Sequence, residues 1–199
     1  MAFGRGSALL TRAEWKKARA QAHIDVQAFA ANVKVIAKSQ IAARKPGLPR
    51  VREYFRDAPH AFEHCASVIA RFMIPDITTL DVTRPSRDGG RDAIGQLRVG
   101  AGPSGILMDF ALEAKCYSAT NSVGVREMSR LIFRLRHRQF GVLVTTSWVD
   151  LQAYKEIKED QHPIVVVSAA DIVDLLHRNG KGSAGVVANW LAEEFPKSV

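Results

Sequence analysis

Asp92, Glu113 and Lys115 are the residues of this chain whose types and spacing could do chemistry. An acid, a gap of about one β-hairpin, then an acid and a lysine two apart is the layout of a metal-dependent phosphodiesterase. Two carboxylates can hold a divalent cation against a phosphate, and a neighbouring ammonium can orient a water or steady developing negative charge. From Ile106 to Tyr117, residues Ile106, Met108, Phe110, Leu112, Ala114 and Cys116 take alternate positions, while Asp109, Glu113 and Lys115 take the others. A period of two marks a half-buried strand, so Glu113 and Lys115 should project side by side from one face. The pattern reads as a nuclease site.

Asp92 closes the run Arg87-Asp88-Gly89-Gly90-Arg91-Asp92, at the expected start of a strand from Ala93 to Val99. Cross-strand neighbours approach to about 5 Å at their β-carbons, near enough for two carboxylates to share one cation. Beside glycine, Asp88 and Asp92 also suit a plain turn. Glu113 and Lys115 also suit an exposed ion pair, worth about 0–1 kcal/mol. The apolar residues around them argue instead for a central strand, where charge needs a reason.

The elements that must position these groups can be read on either side. Thr11 and Glu14 have capping-box spacing, and a helical pattern runs from there to about Arg44, with Val26, Phe29, Val33 and Ile36 on one face. Lys45-Pro46-Gly47-Leu48-Pro49 cannot continue it, so 1–45 is expected to be a basic helical arm, 46–57 a linker and 58–199 the core domain. A helix should start near Pro59 and stop at Pro75, and a Thr/Ile/Val-rich strand should follow from Ile77 to Thr83. After the strand bearing Glu113, Asn121 or Ser122 can cap a helix reaching about Gln139, with Val125, Met128, Leu131, Ile132 and Leu135 as its apolar stripe. Phe140 to Thr146 is nearly all apolar, as in a strand buried on both faces. Ser147 with Asp150 and Ser168 with Asp171 look like helix starts around a short strand from Ile164 to Val167, and Ala184 to Glu194 reads as a last helix. Hairpin strands followed by strand–helix–strand crossovers imply an α/β fold, a mixed sheet with helices on both faces.

Composition bounds the class. The net charge is +8, and residues 1–56 carry twelve Lys and Arg against three acids, whereas 57–199 carry sixteen against seventeen. The positive excess therefore lies in the first quarter of the chain, where it either serves a polyanion through counterion release or simply solvates a helix. No apolar run approaches the roughly 20 residues that cross a bilayer, and Met-Ala-Phe-Gly-Arg-Gly lacks a secretory apolar region. Cys65 and Cys116 are too few for a disulfide framework or a zinc site, so a cytoplasmic location without membrane attachment is expected.

The segments Asp88 to Asp92, Glu113 to Tyr117 and Phe140 to Ser147 together resemble the Mrr-like, modification-dependent branch of the PD-(D/E)XK restriction-endonuclease superfamily. The resemblance spans roughly residues 60–178. It implies an αβββαβ core in which Asp92 and Glu113 ligate Mg²⁺, with Mn²⁺ as a substitute, Ala114 adds its backbone carbonyl, and Lys115 assists the attacking water. Arg91 stands where the family motif has proline, as is common in this branch, and Glu113 keeps the acid that some relatives replace with glutamine. Glu63 and Asp88 are candidates for support around the metal, against ordinary readings as a solvated helix glutamate and a turn residue.

Arg126, Arg130, Arg134 and Arg138 recur every four residues along the helix after the catalytic strand, a row that suits phosphate oxygens or a solvated face equally well. The expected activity is Mg²⁺-dependent DNA endonuclease, in restriction of foreign or modified DNA by analogy with the family. Cutting both strands calls for a homodimer or paired binding on DNA. Rivals are a recombination or repair nuclease on branched DNA, a non-catalytic DNA-binding protein of the same fold, and a basic module that docks on a protein through its arm.

Overall fold

The structure, a computed structural model, describes residues 48–83, 92–135, 138 and 140–197. The expected arm (1–45) and the turn containing Asp88, Gly89 and Gly90 lie outside the described residues. In chain order the elements are α1 (Leu48–Tyr54), α2 (Phe62–Met73), β1 (Ile77–Val82), β2 (Ala93–Val99) and β3 (Ile106–Lys115). They continue with α3 (Val125–Arg134), β4 (Phe140–Thr145), α4 (Leu151–Glu159), β5 (Ile164–Val167), α5 (Ala169–Arg178) and α6 (Ala184–Glu194).

β1, β2 and β3 pair antiparallel as a meander, and β4 and β5 then add in parallel, giving the order β1-β2-β3-β4-β5. Parallel neighbours need a crossover, and α3 and α4 supply the two. This is the mixed sheet that the alternating patterns predict. Phe110, Leu112 and Ala114 of β3, with Val142 and Val144 of β4, pack into a core with Phe62, Cys65 and Ile69 of α2, Ile172 and Leu176 of α5, and Leu191 of α6. The opposite face carries Ala111, Glu113 and Leu143, and α3 lies over it, Leu131 and Leu135 closing on Gly141.

Two close fits hold the register that matters for the site. Gly95 sits opposite Phe110 across the β2–β3 ladder, and a β-carbon there would collide with the Phe110 ring and lie 2.8 Å from the Thr79 carbonyl. Phe110 in turn stacks on Phe140, with centroids 5.0 Å apart. The starts of α4 and α5 are where Asp150 and Ser168 put them. Asp150 accepts from Ala153 N at 2.8 Å, and Ser168 with Asp171 forms a capping box.

Three expectations are corrected. Residues 48–54, read as part of a linker, form α1, whose Val51 together with Phe55 just beyond it is buried in the core. Pro46 before it, Pro49 in its first turn and Pro59 beyond it hide a helix this short, yet the four-residue spacing of Val51 and Phe55 is a helical stripe. The helix after β3 starts later than Asn121 or Ser122, because Val123 is drawn into a bridge with Val149; Gly124 becomes the cap, its N–H donating to Glu127 Oε2 at 3.2 Å. The second half of β3 is buried on both faces rather than one, so Glu113 lies inside the protein.

If α1 belongs to the core, Phe55→Ala should lower stability by about 3–5 kcal/mol, the usual cost of deleting a buried aromatic ring. Urea denaturation would check this, and a midpoint equal to that of the unaltered protein would return 46–57 to the status of a linker.

Candidate active site

The β2–β3 register pairs Ala93 with Leu112 and Ile94 with Ala111, and one further step sets Asp92 level with Glu113. Asp92 leans over β3: its Oδ2 accepts the Ala114 N–H at 2.5 Å and lies 4.0 Å from Lys115 Nζ. The same ammonium stands 2.7 Å from Glu113 Oε1. Both carboxylates thus converge on one cationic nitrogen. The other Glu113 oxygen, Oε2, accepts from Arg134 Nη1 of α3.

Glu113 is only 3% exposed, so its charge would be costly without partners, and the two cations supply them. Asp92 is less well served. Burial pushes its carboxyl up to about 6; the Glu113 charge and, more weakly, that of Glu63 push the same way, against the Ala114 N–H and Lys115. Burial alone would lower the Lys115 ammonium, but Glu113 and then Asp92 outweigh it, and Lys115 is held above its ordinary range. The cradle is therefore one that gathers positive charge.

An oxygen-only pair of acids suits a hard divalent ion such as Mg²⁺ or Mn²⁺. Among the described residues no three or more His, Cys, Asp or Glu side chains converge as a metal cage. Two carboxylates form an open donor set, one that leaves coordination positions for water and phosphate.

The backbone beneath the site is fixed by groups that sequence reasoning passed over. Lys115 O accepts from Thr145 Oγ1 at 3.0 Å and from Thr146 N at 3.1 Å. Arg52 of α1 spans the ends of β3 and β4, its Nε donating to Tyr117 O at 3.0 Å and its Nη2 to Thr146 O at 2.5 Å. Thr145, Thr146 and Ser147 are all buried, and three hydroxyl residues in a row after an apolar strand were the available signal. For Arg52 no local pattern pointed to the contact.

Glu63 approaches from α2 near enough for its charge to bear on Asp92, while its own carboxylate meets His60 Nδ1 at 3.3 Å. Asp88 lies outside the described residues. The arginine row divides. Arg126 and Arg130 are exposed, Arg134 turns inward to Glu113, and Arg138 is half-buried with Nη1 on Arg134 O at 3.3 Å.

Comparison with known proteins adds to this geometry. The restriction-endonuclease family model Mrr_cat matches residues 56–176. The chain is similar to the solved DNA modification-dependent restriction endonuclease AspBHI, at 52% identity and a TM-score of 0.70, over 73% of this chain and 38% of that one. It is also similar to the MspJI restriction endonuclease solved in complex with a 27-mer oligonucleotide, at 28% identity and a TM-score of 0.65, over 75% of this chain and 35% of that one. The chain thus corresponds to well under half of either. No curated protein matches.

The upward displacement of Asp92 has a consequence for the metal-free protein. A carboxyl whose folded value exceeds its unfolded value of about 3.9 loses stability as pH rises through that interval, because the unfolded chain gives up its proton first. In EDTA at pH 7.5, Asp92→Asn should therefore melt at a higher temperature than the unaltered protein, the gain being on the order of 2 kcal/mol. The advantage should shrink below pH 6 and vanish near pH 4. A variant no more stable at pH 7.5 would contradict this account of the buried acid.

Proposed function

The chain belongs to the Mrr_cat restriction-endonuclease family, and we propose that it hydrolyses DNA phosphodiester bonds with a divalent cation, Mg²⁺ or in its place Mn²⁺, held by Asp92 and Glu113. The observation that carries the reading is the convergence of those two acids on Lys115, at 4.0 and 2.7 Å from its nitrogen. Bound there, the cation supplies Lewis acidity toward the scissile phosphate and a lowered pKa for its water. The Ala114 carbonyl is proposed as a further ligand. Asp92 is kept in place by the Ala114 N–H, and Glu113 by the β2–β3 register. Lys115, a fixed cation on a buried strand, orients the attacking water and offsets negative charge as it grows on the phosphoryl oxygens.

Arg126 and Arg130, exposed on α3, are suited to backbone phosphates near the site. The substrate is proposed to be foreign DNA bearing modified bases, supported by the modification dependence of AspBHI and by the oligonucleotide bound to MspJI. One site cuts one strand, so a double-strand break would require two copies, as a homodimer or paired on the DNA. A cytoplasmic location is proposed with this activity. No helix among the described residues is long and apolar enough to cross a membrane.

The test is incubation of the purified chain with methylated and unmethylated supercoiled plasmid in Mg²⁺ or in EDTA. Nicking should require the metal, and Asp92→Ala and Lys115→Ala should each lose it by about 100-fold or more while remaining folded. Undiminished nicking by either variant would remove the catalytic assignment. Preference for synthetic four-way junctions over methylated plasmid would move the substrate to branched DNA.

A further inference from the structure

We infer that Arg134 is a positioning residue that withholds Glu113 from the cation until a DNA phosphate draws the guanidinium away. The inference rests on the metal-nuclease reading and adds its regulation. Its basis is an asymmetry between the two acids. Both Glu113 oxygens are engaged by side-chain cations, Oε1 by Lys115 at 2.7 Å and Oε2 by Arg134. Asp92 has the Ala114 N–H at 2.5 Å and only a distant ammonium at 4.0 Å. Glu113 is therefore the acid that must be released before an ion can share it.

Charge points the same way. Two carboxylates face two side-chain cations, so the metal-free site is formally neutral. A divalent ion entering unchanged surroundings would find both acids already balanced by Lys115 and Arg134. Moving Arg134 out leaves the site with a net negative charge and frees a hard oxygen donor in one step.

The row on α3 offers the guanidinium somewhere to go. Arg126 and Arg130 are exposed, and Arg134 follows one turn later, about 6 Å along the axis. A backbone laid on the exposed pair brings its next phosphate toward Arg134, whose side chain is 17% exposed and so within reach of solvent. Phosphate accepts the same forked pair of N–H bonds as a carboxylate, so the exchange replaces one charge-assisted contact with another. Lys115, by contrast, stands between both acids, 2.7 Å from Glu113 and 4.0 Å from Asp92, and stays.

The probe is Ca²⁺, an oxygen-seeking divalent ion, titrated calorimetrically into the full chain with and without a short duplex. The unaltered protein should bind Ca²⁺ more tightly with the duplex than without it. Arg134→Gln, alone, should bind it at least about tenfold more tightly than the unaltered protein alone, since a charge-assisted competitor is gone. In that variant the duplex should add less than it adds to the unaltered protein. Arg134→Lys, which keeps the charge and loses the fork, should shift affinity in the same direction by less, and stands in if the glutamine variant does not fold. Affinity unchanged or weakened in a folded Arg134 variant would overturn the inference. Asp92→Ala separates the two readings: if it leaves Ca²⁺ binding by the unaltered chain undiminished, the metal site itself is misplaced, whatever Arg134 does.

Discussion

A carboxylate buried in the middle of a sheet is the constraint on which the rest of this molecule depends. Glu113 stands on β3 with helices over both faces of the strand, almost wholly out of water. Left alone, such a charge would neutralise itself or unfold its surroundings. It is retained because Lys115 lies two residues along the same face and Arg134 comes down from α3. Asp92 is then added from the neighbouring strand, at a further electrostatic cost visible in its elevated carboxyl. An arrangement that stabilised the fold alone would not place a second acid there. The proposed metal site, which has to attract a doubly charged ion, would.

The remaining architecture follows from keeping those groups in register. Gly95 makes room for Phe110, and the Phe110–Phe140 stack ties the antiparallel meander to the parallel half of the sheet. Slippage by one residue would turn Glu113 and Lys115 to the face occupied by α2. At the far end of β3, the Thr145 hydroxyl, the Thr146 amide and the Arg52 guanidinium fix the backbone around Lys115. Arg52 belongs to α1, so the short helix ahead of the core also contributes to the stability of the strand ends.

Much of this is legible in the amino-acid sequence alone, for identifiable reasons. The alternation from Ile106 to Cys116 is long enough to give both the strand and its face, and the Ser168–Asp171 and Ser147–Asp150 spacings locate two helix starts within a few residues. What escapes a local reading are features decided by tertiary contact. Val123 is taken from the helix start by Val149, a pairing across twenty-six positions that no local rule contains. α1 is seven residues with Pro49 in its first turn and gains its helicity from burying Val51 and Phe55. Periodicity groups Arg134 with Arg126 and Arg130, but which member of the row meets Glu113 depends on where α3 crosses β3. The neighbours of Asp92 on its N-terminal side lie outside the described residues, so for Asp88 a place near the metal is an expectation from sequence only.

One cation shared between Asp92 and Glu113 is what the proposed nuclease chemistry requires. The most direct measurement is a crystal of the chain soaked in Mn²⁺, with the ion located by its anomalous scattering. The expected result is a peak bound by one oxygen of each acid, beside the Lys115 ammonium. A well-ordered lattice at saturating Mn²⁺ with no peak there, or with the ion held elsewhere on the chain, would contradict a shared metal site.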